Sequence, residues 1–129
     1  MLRTIMPALA LVWVATAVPA QEVERYALQG ASVTVILHPF LTEEETATLR
    51  VIGQSTDALA LFVPEGGRFA ALAVAPAEGF IRDGMPVDSA VAIGDLPDLE
   101  QARTAALDEC NAARNGGDDC QIVLEISPE

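Results

Sequence analysis

The stretch from Asp98 to Ile126, DLEQARTAALDECNAARNGGDDCQIVLEI, decides the fold. Asp98 carries the short acceptor side chain of a helix N-cap, and Gln101 stands at the third helical position. Leu99, Ala102, Ala106, Leu107, Cys110 and Ala113 recur at spacings that share one helical face. That face is narrow and rich in alanine, so the helix can lie close on a sheet with Cys110 on its buried side. Asn115-Gly116-Gly117 ends the helix, glycine supplying a left-handed cap. Asp118-Asp119 then leads into Cys120-Gln-Ile-Val-Leu-Glu-Ile, whose branched residues predict a final strand.

Working outward, Ser32 to Leu37 is rich in β-branched residues and places Val33, Val35 and Leu37 on one face, which predicts a strand. Thr42 followed by Glu43, Glu44 and Glu45 is a capping box with three carboxylates at the positive end of the helix dipole. A helix over 43–53 follows, with Thr46, Leu49 and Ile52 as its buried stripe and Gly53 as its stop. Ala58 to Val63 and Phe69 to Ala75 are short apolar runs flanking Pro64-Glu65-Gly66-Gly67-Arg68, and the economical reading is a hairpin. In Phe69 to Ala75 both alternating sets are apolar, as in a central strand covered on both faces. Pro76 to Pro86 reads as a loop, and Val87 to Ile93 as a further strand. Gln21 to Gly30 carries no strong pattern. These elements sum to an α+β fold: an antiparallel or mixed sheet of about four or five strands, two helices mainly on one face, and one disulfide.

Residues 1–20 read as a secretory signal peptide: Arg3 gives the positive start, Ile5 to Ala17 the apolar stretch, and Val18-Pro19-Ala20 small residues before the cut. Cleavage between Ala20 and Gln21 leaves 21–129 as a single domain; Ala15-Thr16-Ala17 offers a second cut three residues earlier. The 13-residue run from Ile5 to Ala17 is shorter than the roughly 20 residues a bilayer span needs, so no stable membrane anchor is expected. The expected destination is the periplasm or the exterior. In that oxidising setting Cys110 and Cys120 pair, closing a loop of about 11 residues worth roughly 2.7 kcal/mol by chain entropy. Catalytic dithiols favour C-x-x-C at a helix start, whereas Cys110 falls near a helix end, so the bridge reads as structural.

The chain has 129 residues, 19 acids, 7 arginines and no lysine, for a formal charge of -12, which becomes -13 once Arg3 leaves with the signal. Such a balance excludes a phosphate-backbone binder and disfavours anionic membranes. Without lysine there is no Schiff base to pyridoxal phosphate and no P-loop lysine. Two cysteines and one histidine, His38, do not by themselves make a four-ligand zinc site, and a carboxylate would have to complete one. No cofactor is expected.

The run Phe69-Ala-Ala-Leu-Ala-Val-Ala-Pro, the helix Asp98 to Cys110, and Gly116-Gly-Asp-Asp-Cys120-Gln-Ile-Val together resemble a group of small exported bacterial proteins of unknown function. In that group an apolar strand, an alanine-rich helix bearing Cys, and a Gly-Gly-x-x-Cys strand recur in this order. The resemblance covers roughly the last 60 residues, and extends more loosely to Phe40-Leu-Thr-Glu-Glu-Glu. Some relatives carry the name 5-aminolevulinic acid synthase, a chemistry that needs a cofactor-binding lysine and is rejected for this chain. The resemblance implies the fold and the disulfide and brings no catalytic residues.

His38, beside Pro39 and upstream of Glu43 to Glu45, is a candidate base or metal ligand, set against the plainer reading of a histidine at a strand end. None of Ser32, Ser55, Ser89 and Ser127 sits in a G-x-S-x-G context, so serine-hydrolase chemistry has no support. Among the acidic clusters, Asp118 and Asp119 beside their glycine turn are better placed for calcium than Glu43 to Glu45 or Asp108-Glu109, yet none forms the D-x-[DN]-x-[DN]-G loop. The expectation is a non-catalytic exported binding or accessory module for a protein or small ligand. The alternative is an acidic inhibitor or sequestering partner of a basic exported protein, and an enzyme using His38 or carboxylates ranks last.

Overall fold

A computed structural model of the chain describes residues 22–63 and 68–128. The signal segment 1–20 and the Ala20–Gln21 cut lie outside the described residues. Strand β1 (Glu22–Leu28) turns through Gln29-Gly30 into β2 (Ala31–Leu37), with Gly30 at a φ of 77° that favours glycine. Helix α1 (Glu43–Gln54) and a short α2 (Thr56–Phe62) follow, then β3 (Phe69–Val74), a small hairpin of β4 (Ile81–Arg82) and β5 (Met85–Pro86), and β6 (Val91–Leu96). Helix α3 (Leu99–Ala113) and β7 (Gln121–Pro128) end the described chain. Among the described residues these make an α+β fold of three helices, a five-stranded antiparallel sheet in the order β1-β2-β7-β3-β6, and the two-stranded β4-β5 sheet.

The capping box opens α1 as expected: Glu45 N donates to Thr42 Oγ1 at 3.1 Å and Thr42 N donates back to Glu45 Oε1 at 2.9 Å. Asp98 caps α3, accepting from Gln101 N at 2.8 Å. The bridge between Cys110 and Cys120, with Cα atoms 6.1 Å apart, ties the end of α3 to the start of β7.

Several details of the expected layout are corrected: the loop expected over 76–86 contains the β4–β5 hairpin, and the strand expected over 87–93 runs from Val91 to Leu96. The run Ala58 to Phe62 is helical, belonging to α2: Ser55 accepts from Ala58 N and caps it, and ALALF contains no β-branched residue to favour a strand. There is therefore no hairpin with β3, whose partners are β7 and β6. Gln21 to Gly30, read as patternless, contains edge strand β1. Gly53 does not stop α1 but lies inside it, buried where the Tyr26 ring and Val35 come so near that a Cβ would sit 2.8 Å from Tyr26 Cδ2. The glycines after α3 likewise fall beyond its cap, which is Arg114 donating its N–H to Cys110 O.

A further correction concerns the helices, which lie on opposite faces. Ala70, Leu72 and Val74 of β3 join a large core with Val33, Val35, Leu49, Ile52 and Phe80, under α1 and α2. Ala71, Ala73 and Ala75 point the other way and pack with Ala102, Ala106 and the two cysteines, under α3. Alanine against alanine permits the close approach of α3 that its stripe predicted, and β3 is buried on both sides as its doubled pattern required. A bulge in β7, where Leu72 faces Leu124 but Ala73 faces Ile122, turns both Val123 and Leu124 into the larger core.

Candidate recognition surface

One helix per face cannot cover five strands. Strands stand about 4.8 Å apart, so the sheet is roughly 20 Å wide against a helix diameter of about 10 Å. Helix α3 packs on β3, β6 and β7, and α1 packs on β1, β2 and β7 from the other side. On the α3 side, β1 and β2 therefore present Val23, Arg25 and Ala27 beside Ile36, Thr34 and Ser32, in the cross-strand pairs Val23–Ile36, Arg25–Thr34 and Ala27–Ser32. Val23 is 52% exposed, Arg25 and Ala27 are exposed, and the three β2 residues are half-buried. The register carries this patch onto β7, where Thr34 faces Glu125 and Ser32 faces Ser127.

The border of the patch is fixed by charge. Arg103 on α3 forks onto Glu125, its Nη2 donating to Oε2 at 2.9 Å and its Nε to Oε1. Glu125 is only 8% exposed, and this fork answers its otherwise costly buried charge. On the opposite face of β1, Arg50 donates from Nε to both oxygens of Glu24, at 3.0 and 3.1 Å, and the Tyr26 hydroxyl donates to the same carboxylate at 2.6 Å. Arg50 first, and then Tyr26, hold Glu24 below its usual carboxylate range, while Glu24 pushes the Tyr26 phenol up. These bonds pin β1 to α1 on its inner face and leave its outer face to solvent.

The residues singled out in the sequence do not converge. His38 is buried at the end of β2; its Nε2 lies 2.7 Å from the Ile122 carbonyl, and its ring stacks on Phe40 with centroids 5.1 Å apart. Glu43 and Glu44 are exposed, while Glu45, 3% exposed, turns inward. Glu45 Oε2 accepts the backbone N–H groups of Phe80 and Ile81, the latter at 2.9 Å, so it secures the loop that plugs the larger core with Phe80. Burial raises its pKa, but the N–H groups of Thr42, Ile81 and Phe80 outweigh that and place it below the ordinary value. Asp108, Glu109, Asp118 and Asp119 are exposed, with Asp119 on Arg114 at 3.1 Å. Among the described residues no three His, Cys, Asp or Glu side chains gather where they could hold a metal ion.

Two surface depressions lie among the described residues. One of about 500 Å³ runs along α3 between Asp98 and Asp108, and another of about 200 Å³ lies between the β1–β2 turn and α2, lined by Leu28, Ala31, Leu59 and Val63 among others. Neither contains His38. The residues that the sequence leaves unmarked are Val23, Arg25 and Ala27, in a segment with polar residues on both faces, together with the Arg103–Glu125 fork. No protein-family model, curated protein or solved structure matches the chain.

Proposed function

We propose that the chain is a non-catalytic exported binding or accessory module that meets its partner on the uncovered β1–β2 half of the sheet. The observation that carries this reading is the asymmetry of coverage: one sheet face is filled across by α1, α2 and the Phe80 loop, while the α3 face leaves Val23, Arg25, Ala27, Ser32, Thr34 and Ile36 accessible. A mixed patch of two branched apolar residues, a cation and hydroxyls on a rigid sheet suits recognition of a protein or small ligand. The signal-like start, the disulfide and the resemblance to small exported bacterial proteins support an extracytoplasmic setting.

Photo-crosslinking tests it. A benzophenone side chain at Ala27 or Thr34, in protein exposed to the exported fraction of its native host, is expected to give a discrete adduct. The same group at Ala105 on α3 is not, and Val23→Asp is expected to abolish the adduct at Thr34. Equal adducts at all three positions, or none at Ala27 and Thr34, would overturn the proposal.

A second reading has its own observation. Arg50, Arg103 and Arg114 are already engaged by carboxylates, so the surplus of exposed acids, among them Glu43, Glu44, Glu100, Asp108 and Glu109, favours a cationic protein partner. Association with such a partner would slow steeply as salt rises, and a salt-independent rate would remove this version.

A further inference from the structure

The chain has two asparagines, Asn111 and Asn115, and the fold treats them oppositely. Asn111 is a half-buried residue of α3 whose Oδ1 accepts from Arg114 Nε and from Cys120 N, both at 2.9 Å. Its neighbour Ala112 lies within the same helix. Asn115 is exposed, one residue past the Arg114 cap, and is followed by Gly116 and Gly117. A Cβ built at Gly116 would meet nothing within 4 Å, so the space beside the Gly116 Cα is open.

Asn115 also carries a contact between distant parts of the chain. Its backbone N–H donates to Glu78 Oε2 at 3.2 Å, and its side-chain Nδ2 donates to Glu78 Oε1 at 3.0 Å. Glu78 belongs to the turn in which Glu78 N and Gly79 N donate to Ala75 O, immediately before Phe80. The two bonds thus clamp the loop closed by the disulfide onto the turn that feeds Phe80 into the core.

We infer that Asn115 is a site of spontaneous modification, where loss of the side-chain amide turns the clamp on Glu78 into a like-charge contact. The Gly116 backbone nitrogen, stripped of its proton by hydroxide, attacks Asn115 Cγ; the Cγ–Nδ2 bond breaks, ammonia leaves and a five-membered succinimide closes. Water then opens the ring at either carbonyl, giving aspartate or isoaspartate. One water is consumed and one ammonia released, with no change of oxidation state. Asparagine is among the chemically labile residues, and a glycine after it removes the side chain that would hinder ring closure. The product replaces an N–H donor by a carboxylate facing Glu78 Oε1, and like charges at such range repel. Asn115 is exposed and Glu78 half-buried at the surface, so the effect is a local loosening of the Ala75–Gly79 turn while the fold and the disulfide persist.

The test is peptide mapping by mass spectrometry of intact protein held in mildly alkaline buffer, folded and in urea. The expected result is exchange of NH2 for OH at Asn115 in the folded chain, at a rate approaching that in urea, with Asn111 converting only in urea. An intact Asn115 in the folded chain, or Asn111 converting first, overturns the site. For the consequence, amide exchange in the Ala77–Phe80 segment is compared in the parent, Asn115→Asp, and Asn115→Asp with Glu78→Gln. Exchange is expected to rise in the single variant and return toward the parent in the double. No rise, or a rise that Glu78→Gln leaves in place, refutes the like-charge contact.

Discussion

Replacing Glu45 tests the buried carboxylate that ties the start of α1 to the Phe80 loop. Its carboxylate accepts three backbone N–H groups, from Thr42, Phe80 and Ile81, and no cation stands among its hydrogen-bond partners. A hydrogen bond to a charged group contributes about 1.5–3 kcal/mol, and each buried donor left without a partner costs about 1–3 kcal/mol. Glu45→Gln keeps one oxygen and sets an NH2 donor against N–H donors on the other side, so a loss of about 1.5–3 kcal/mol is expected. Glu45→Ala strands the Phe80 and Ile81 donors, of which Phe80 is fully buried, and should cost about 3–5 kcal/mol. Urea unfolding at neutral pH measures both. The proton linkage gives a second readout. The folded-state pKa lies below the ordinary 4.5, so Glu45 contributes stability above that ordinary value, lost as pH falls through the folded one. Glu45→Gln should flatten that part of the acid limb. Losses under about 0.5 kcal/mol for both variants, or an acid limb unchanged in Glu45→Gln, would refute the role of Glu45 in holding the Phe80 loop.

Other perturbations discriminate further parts of the structure. Removing the disulfide by Cys110→Ala with Cys120→Ala should lower unfolding stability by about 3 kcal/mol without altering the far-ultraviolet circular dichroism, since the loop it closes is short and both ends sit in formed elements. Gly53→Ala gains helix propensity, yet its Cβ would stand 2.8 Å from Tyr26 Cδ2 and 2.9 Å from Val35 Cγ2; a net loss of about 1–3 kcal/mol in urea unfolding is expected, and a gain would show that β1 moves freely against α1. Arg103→Met leaves Glu125 without its fork; because the arginine is 45% exposed, the cost is set at about 1–2 kcal/mol, and adding Glu125→Val should recover part of it in the same assay.

The parts of the fold that were legible in sequence are those where a local chemical requirement leaves a local mark. The N-caps at Thr42 and Asp98, the β-branched run of β2, and the doubled apolar pattern of β3 each need nothing distant to be recognised. Segment α2 was misread because Ala58 to Val63 is strand-length and stops at Pro64; the discriminating mark was Ser55, which caps it, and the absence of branched residues in ALALF. Strand β1 was missed because polar residues occur on both of its faces: Glu24 turns toward α1 to pair with Arg50, 26 positions away, and Tyr26 turns the same way to set its ring against Gly53. Placement of the helices on opposite faces was implicit in β3 itself, since a strand apolar on both sides needs a layer on each. The candidate surface was less legible, because exposure on a sheet depends on what fails to pack there, and no residue of β1 or β2 records the reach of α3.

The unequal cover of the two faces follows from the same economy of helices. On the α1 side the sheet beyond the helix is closed by a loop: Phe80 enters the core with Leu72 and Val74, Phe62 tilts against it with ring centroids 5.5 Å apart, and Glu45 ties the loop's N–H groups to the first turn of α1. A side chain from a helix start thus extends the helix's own coverage across the sheet. On the α3 side the corresponding polar commitment, Arg103 to Glu125, stops at β7. Arg103 spends its guanidinium neutralising a strand residue that would otherwise be a buried lone charge, and it brings no second segment over β2. The alanine stripe that lets α3 sit close also keeps its footprint narrow, because short side chains cannot reach two strands sideways. Close packing of α3 and exposure of the β1–β2 patch are therefore one consequence of composition. Bulkier residues at Ala102 or Ala106 would push the helix off β3 and endanger the disulfide before they covered the patch.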